Sequence, residues 1–479
     1  VRTPPAPTVS ASQPLRRLIG PLAPALALMS LSPVASAQDL LNAWHKAALH
    51  DARYQAAQAQ RQASLARADQ ARAGLLPQLG LGASSTRTHL DSTLDMAAPA
   101  GQQNPVTSYS THNISLNASQ PLYRPANLAT WRQGDKQGQA AEQELNRATQ
   151  QLITRLAQAY FDVLSAQDAL ATTQQLERAV AQQKAAADNN FELGNTTITD
   201  SREAQARVDQ VLAQRIAAEN RLQVQRLALD TVIGEAGFVP APLALPAQLP
   251  DVAARTMDDW VATALSQHPQ LAQARLAVQV AELETEKARA GNKPTVDLVA
   301  SVGRVNYPQG NPQSMYPGVP TRANQASIGV QFNMPLFAGG LVQNRVRETL
   351  ALEDKARADA QDAERQIGQA VRSAWLTLQA GRAQIKALEA AQASAQSALE
   401  ASQLGYEVGV RINIDVLNAQ TQLYDVRRQL AQARYDLIVG WLRLHEAAGV
   451  LDDQQLRTVN ALLTTATPPS AAKASAAGR

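Results

Sequence analysis

The chain contains no cysteine among its 479 residues. That absence excludes disulfide frameworks, thiolate metal sites, cysteine nucleophiles and an N-terminal lipidated cysteine. Aromatic residues make up only 4%, too few for the three or so compact cores that the length would otherwise suggest. Ala and Gln crowd the long stretches instead, a composition that favours extended helices over globules. The six histidines, His45, His50, His89, His112, His268 and His445, form no HExxH or other ligand spacing, and neither GxSxG nor a phosphate-binding glycine loop occurs. No catalytic constellation, cofactor site or metal site is therefore expected.

Long apolar runs are also missing. Residues 1–37 read as an export signal: Arg16 and Arg17 precede an apolar stretch from Leu18 to Leu31, and Ala35-Ser36-Ala37 supplies a small-x-small cleavage site. As a membrane anchor this stretch is too short, and Pro21, Pro24 and Pro33 interrupt it. The leader holds three arginines and no acid, so without it 41 basic residues face 41 acidic ones. The basic balance of the whole chain is thus no sign of a nucleic-acid partner. Beyond the leader no stretch offers about eighteen uninterrupted apolar residues, so a membrane role would need strands.

What the chain does have is a sentence written twice. FELGNTTITDSREAQ (191–205) is answered by YEVGVRINIDVLNAQ (406–420), ARAGLLPQLGLGASSTR (71–87) by ARAGNKPTVDLVASVGR (288–304), SQPLY (119–123) by NMPLF (333–337), and AYFDVL (159–164) by AWLTLQ (374–379). The order is kept at an offset of 214 to 217 residues, far longer than a solenoid period. The chain divides accordingly into a first structural repeat, 38–256, a second, 257–460, and a tail at 461–479 expected to be disordered.

Each half reads alike. Residues 39–73 and 257–290 carry apolar positions at three-and-four spacing, with Pro77 and Pro294 as stops. Alternation follows, over about 77–123 and about 294–337: Leu79, Leu81 and Ala83, then Ile114, Leu116 and Ala118, then Val296, Leu298, Ala300 and Val302, then Ile328, Val330 and Phe332. These are strands with one apolar face. Long helices are predicted at about 126–189 and 341–403. In the first, Leu145, Leu152, Leu156, Tyr160, Val163 and Leu170 form a coiled-coil seam, and Ile367, Val371, Trp375, Leu378, Ile385 and Leu388 form its counterpart. Return helices are predicted at about 200–236 and 415–449. At 1.5 Å per residue each long helix spans roughly 96 Å and each shorter one roughly 52 Å, so two short helices stacked end to end match one long one. Four strands cannot close a barrel by themselves, since about eight is the practical minimum, so strands from several copies would have to join.

The YxxGxRxxxDVL-like turn from Tyr406 to Leu417, paired with the GxxxxTD turn from Gly194 to Asp200, resembles the TolC family of outer-membrane channel proteins, and the likeness extends over roughly 38–460. The resemblance implies a mixed α and β membrane protein of Gram-negative bacteria. Its homotrimer would form a twelve-stranded outer-membrane β-barrel, four strands per chain, continued by a periplasmic α-helical coiled-coil barrel. It implies a passive exit channel for drugs or secreted polypeptides, recruited by an inner-membrane transporter, ABC or proton-driven, through a periplasmic adaptor. Gly194 and Gly409 would turn the chain at adaptor-docking tips, and the return helices would start at Asp200 and Asp415, with Asp200 and Glu203 also fitting a capping box. The resemblance carries closed-state contacts onto Thr199, Asp200, Tyr406 and Arg411. It places constriction acids one helical turn apart, of which Asp415 matches the first while Asn418 occupies the second. A different class of protein, a periplasmic coiled-coil adaptor without a pore, would need only one hairpin and no amphipathic strand pairs.

Overall fold

The computed structural model describes residues 38–90, 107–194, 196–244, 255–311 and 319–464. The expected leader, 1–37, lies outside them, as do the far ends of both strand pairs and residues 465–479. The fold is mixed α and β and mostly helical. Helices α1 (Leu40–His50) and α2 (Ala52–Ala73) lead into strands β1 (Gln78–Leu90) and β2 (Thr107–Tyr123). Then α3 (Pro125–Glu192) runs for 68 residues, about 102 Å at 1.5 Å per residue, and α4 (Ile198–Ile233) returns along it. The succession of element types repeats as α5 (Met257–Gln267), α6 (Pro269–Arg289), β3 (Thr295–Tyr307), β4 (Thr321–Asn333), α7 (Leu341–Glu407, 67 residues) and α8 (Asn413–Ala447), followed by α9 (Asp453–Asn460).

Proline explains how α3 can be so long. Its one proline is Pro125 in the first turn, where the missing N–H costs nothing. α2 packs along the part of α3 nearest the strands, where glycine allows close approach: a Cβ at Gly134 would lie 2.9 Å from Ala71 Cβ and 3.1 Å from Ala68 Cα. The far part of α3 packs on α4 and α8 through Leu176, Val180, Ala187, Ala204, Val211 and Leu417.

Each expected opening helix, 39–73 and 257–290, is in fact two. At Asp51 the backbone is extended (φ −67°, ψ 113°), and the carboxylate caps α2 by accepting from Tyr54 N at 2.8 Å while Arg155 Nη2 donates to it at 2.6 Å. At His268 the following Pro269 disfavours helical backbone, and the imidazole Nδ1 accepts from Gln270 N at 3.1 Å. The two breaks serve the core. They let α1 and α5 turn onto α3, α4, α7 and α8 with Leu40, Trp44, Leu156, Tyr160, Leu229, Ile233, Trp260, Val371, Ile438 and Leu442 in one buried cluster. Tyr160 is fully buried there. Its hydroxyl donates to Ala241 O at 3.1 Å and accepts from Ala241 N at 2.7 Å, and burial pushes the phenol far above its ordinary pKa. After α9, Leu463 bridges to Leu243 and is buried, and Thr464 N donates to Pro242 O at 2.9 Å, so the chain stays anchored to the core as far as residue 464.

The strands form one antiparallel sheet in the order β1-β2-β3-β4. Register pairs Leu81 with Leu116, Leu116 with Val302, and Val302 with Ala326. One face therefore gathers Leu79, Leu81, Ala83, Ile114, Leu116, Ala118, Leu298, Ala300, Val302, Ile328, Val330 and Phe332. The other carries Gly80, Gly82, Ser115, Asn117, Ser301, Ser327 and Gln331. The apolar face is open, with Ile328 at 77% exposure and Leu81 at 74%. Among the described residues, the outer edges of β1 and β4 have no strand partner.

Candidate functional site

The two helical hairpins end side by side. Glycine makes both turns possible: Gly194 and Gly409 adopt φ of 76° and 78°, a left-handed conformation that L side chains resist. The return helices start two residues earlier than expected, at Ile198 and Asn413, because Thr197 (φ −92°, ψ 156°) and Ile412 (φ −101°, ψ 162°) hold the extended cap conformation. Asp200 and Asp415 consequently occupy the third helical position in both halves, with their backbone N–H groups donating to Thr197 O at 3.2 Å and Ile412 O at 3.1 Å. There each carboxylate faces the positive end of its helix, so the Asp200–Glu203 capping box is replaced by charge–dipole attraction.

Within one protomer the expected gate residues have separate partners. Asp200 accepts from Thr196 Oγ1, and Thr199 is exposed. Tyr406 is half-buried, and its hydroxyl accepts from Asn190 Nδ2 at 3.2 Å, joining α7 to α3. Arg411 Nη1 lies 3.5 Å from Asp415 Oδ2, with the two side chains 59% and 34% exposed; an open pair of this kind adds little stability. Asn418 accepts from Arg207 Nη2 at 2.9 Å, which ties α8 to α4. No hydrogen bond or ion pair among the described residues joins Thr199 or Asp200 to Tyr406 or Arg411.

Two residues that the sequence did not single out hold the tips. Asn413 is 1% exposed; it accepts from Gln183 Nε2 at 2.6 Å and donates to Asp200 O at 3.3 Å, bridging α3, α4 and α8 with a neutral amide. Gly405 is the second. A Cβ there would meet Arg411 Cγ at 2.6 Å, while Gly405 O accepts from Val410 N and Arg411 N at 2.8 and 3.0 Å. Beside them Ser201 Oγ donates to Asp188 Oδ1 at 2.6 Å and Lys184 pairs with its other oxygen, and the two partners hold the Asp188 carboxyl below the usual range. The arrangement contains no nucleophile–base pair and, among the described residues, no cluster suited to a metal. It is a junction of four helix ends joined by ion pairs and amides.

The family model described as "Outer membrane efflux protein" matches residues 43–235 and 260–450. Outer membrane protein TolC of Escherichia coli (strain K12) is 31% identical over 459 residues, covering 93% of this chain and 89% of the relative. Alkaline protease secretion protein AprF of Pseudomonas aeruginosa is 30% identical over 445 residues, covering 92% and 91%. Among solved structures, the fold is similar to that of CusC, with a TM-score of 0.74 at 18% identity over 86% of this chain and 92% of that one. It is likewise similar to that of VceC from Vibrio cholerae, with a TM-score of 0.73 at 21% identity over 86% and 96%. With both halves of the chain matched and relatives of this identity aligned along nearly its full length, the chain belongs to the outer membrane efflux protein family.

Proposed function

We propose that the protein is the outer-membrane exit channel of a tripartite export machine, a homotrimer that conducts substrates passively from an inner-membrane transporter and a periplasmic adaptor to the exterior. The observation that carries this reading is the four-stranded sheet, apolar on one face, polar on the other and unpaired at both edges among the described residues. Such a sheet is stable in lipid only when closed, and copies that pool their strands close it with the apolar face outward and the polar face lining a pore. Three copies give twelve strands, and their paired hairpins continue the duct through the periplasm. The same sheet weighs against a pore-free adaptor, which has no use for it.

In this reading the tips are the periplasmic entrance. Asp415, repeated around the axis, draws cations to the constriction, and the neutral Asn418 one turn on limits that attraction. Contacts between neighbouring hairpins, involving Thr199, Asp200, Tyr406 and Arg411, fasten the closed state. Exposed pairs contribute about 0.2 to 1 kcal/mol each, and threefold repetition leaves a latch weak enough for adaptor docking at the Gly194 and Gly409 turns to release. Similarity to a protease secretion protein and to the "Outer membrane efflux protein BepC" of Brucella suis supports both polypeptides and small molecules as cargo. The test is conductance across a planar bilayer. The purified protein is expected to form channels that divalent cations block, with Asp415→Ala weakening the block. Unchanged block would remove Asp415 from the constriction, and absence of any conductance would refute the channel.

A further inference from the structure

The four strands distribute their charges unevenly. Their basic side chains are Arg87, His89, His112, Arg304 and Arg322, and their one carboxylate is Asp297. Register puts all five basic side chains on the apolar face: Arg304 pairs with Ile114 and Asn324, His112 with Ser85 and Asn306, Arg322 with Asn306, Arg87 with Ser110, and His89 with Ser108. Asp297 belongs to the opposite face, where Arg124 holds it by two hydrogen bonds of 2.7 and 2.6 Å. These basic side chains also share one end of the sheet, the end away from the helices. Arg304 adjoins Val302 at the limit of the apolar band, and the others follow in rows about 7 Å apart.

Among the described residues these groups are open and face no carboxylate. Arg87, His89, His112, Arg304 and Arg322 are all exposed. The described outward-facing residues of the strands include no acid, and no described carboxylate pairs with the three arginines. Their side-chain bonds are to neutral groups, Arg304 Nε donating to Asn324 Oδ1 at 2.9 Å and His89 Nδ1 meeting Ser108 Oγ at 2.8 Å. A rim that needed only solubility would mix both signs and present polar groups on both faces alike. Confining cations to the face and depth where an apolar band meets water matches the chemistry of one partner class, an amphiphile with acyl chains on the band and anionic groups level with the arginines.

We propose that this basic girdle binds the phosphate groups of phosphorylated membrane lipids in the leaflet at the far end of the barrel, with Arg87, Arg304 and Arg322 as the principal contacts. The proposal rests on the barrel reading above, which sets the apolar face against lipid. Arginine suits the task because its planar guanidinium stays charged and pairs with phosphate through two parallel hydrogen bonds.

The test uses the purified assembled protein in detergent with fluorescent diphosphorylated lipid A as the probe, and inorganic pyrophosphate and a dephosphorylated lipid A as competitors. Replacing Arg87, Arg304 and Arg322 together by Gln is expected to lower affinity at least tenfold, since each arginine facing an anionic leaflet contributes about fivefold. Arg365→Gln on the exposed part of α7 is expected to change nothing. Dephosphorylated lipid A should compete at least tenfold less well than the diphosphorylated form, and pyrophosphate weakly, because it lacks the acyl chains. Equal affinity of wild type and triple variant overturns the girdle, as does strong competition by pyrophosphate, which would mark a free-anion site. Single-channel conductance read in parallel separates the two claims. A triple variant that conducts normally while losing the probe supports the girdle, and a wild type that binds the probe equally well but never conducts sinks the barrel reading and the girdle with it.

Discussion

At the scale of single residues, the tips combine exposed charge with a buried neutral clasp. The Arg411–Asp415 pair is open to solvent and weakened by salt. The Gln183–Asn413–Asp200 bridge is shielded and indifferent to salt. Asn413→Ala should therefore cost about 0.5 to 1.5 kcal/mol of local stability, because it removes both hydrogen bonds of the bridge while Gln183 stays only half-buried. Amide hydrogen exchange should rise around 408–414 and remain unchanged in the strands; unaltered exchange at the tip would show that Asn413 fastens nothing. A second residue-scale prediction concerns His445 and His268. Burial lowers both imidazoles from 6.5; Arg255 adds to the effect on His445, against the opposing bond to Trp441 O and the charge of Asp452, and Arg147 adds to it on His268. The unfolded chain then binds more protons just below 6.5, so this stability is present above that pH and lost as the pH falls toward the folded values. Asp162 and Glu446, raised mainly by burial, act oppositely: their contribution is present below their ordinary values and lost as pH rises through the folded ones. Subtracting the melting curve of His445→Phe isolates the histidine. Between about pH 7.5 and about pH 5.5 the wild type should lose more melting temperature than the variant. Parallel losses would show that His445 does not titrate there.

At the scale of elements, periodicity made much of the fold legible. Leu152, Leu156, Tyr160 and Val163 announce the seam of α3 and are all buried, and the alternation in 79–83 and 296–302 marks the apolar face of the sheet. Helix breaks and starts were harder to read. Asp51 and His268-Pro269 are recognisable caps, but the apolar period continues across them, and only the packing of α1 and α5 onto the core demands the interruption. Aspartate is a favoured cap, which drew the expected starts to Asp200 and Asp415, while the chain uses Thr197 and the unfavoured Ile412. Asn413 escaped notice because its burial depends on Gln183, 230 residues away in the chain. Nothing local distinguishes it from a solvated turn asparagine, and Gly405 likewise matters only through the arginine folded across it. The Asp51 break gives a test at this scale. Asp51→Ala removes both the cap and the acceptor for Arg155 and should lower stability by about 1 to 3 kcal/mol, whereas Asp51→Asn keeps the cap and should recover part of it. Equal melting temperatures for all three proteins would mean that the junction is held by packing alone.

At the scale of the whole molecule, the account rests on copies of one sheet closing edge to edge. Exposed strand edges and an open apolar face are liabilities in water; pairing of β4 of one protomer with β1 of the next removes the edges, and lipid around the closed barrel covers the apolar face. Cysteine is absent from the chain, so introduced thiols report only on the positions chosen. The most direct measurement is a disulfide scan in membranes that combines Ser85→Cys on β1 with single cysteines placed in turn along β4 from 323 to 331. The account predicts that one narrow register crosslinks efficiently and that the covalent products end at three chains. Failure of every pair to crosslink, or a ladder extending past three, would contradict it.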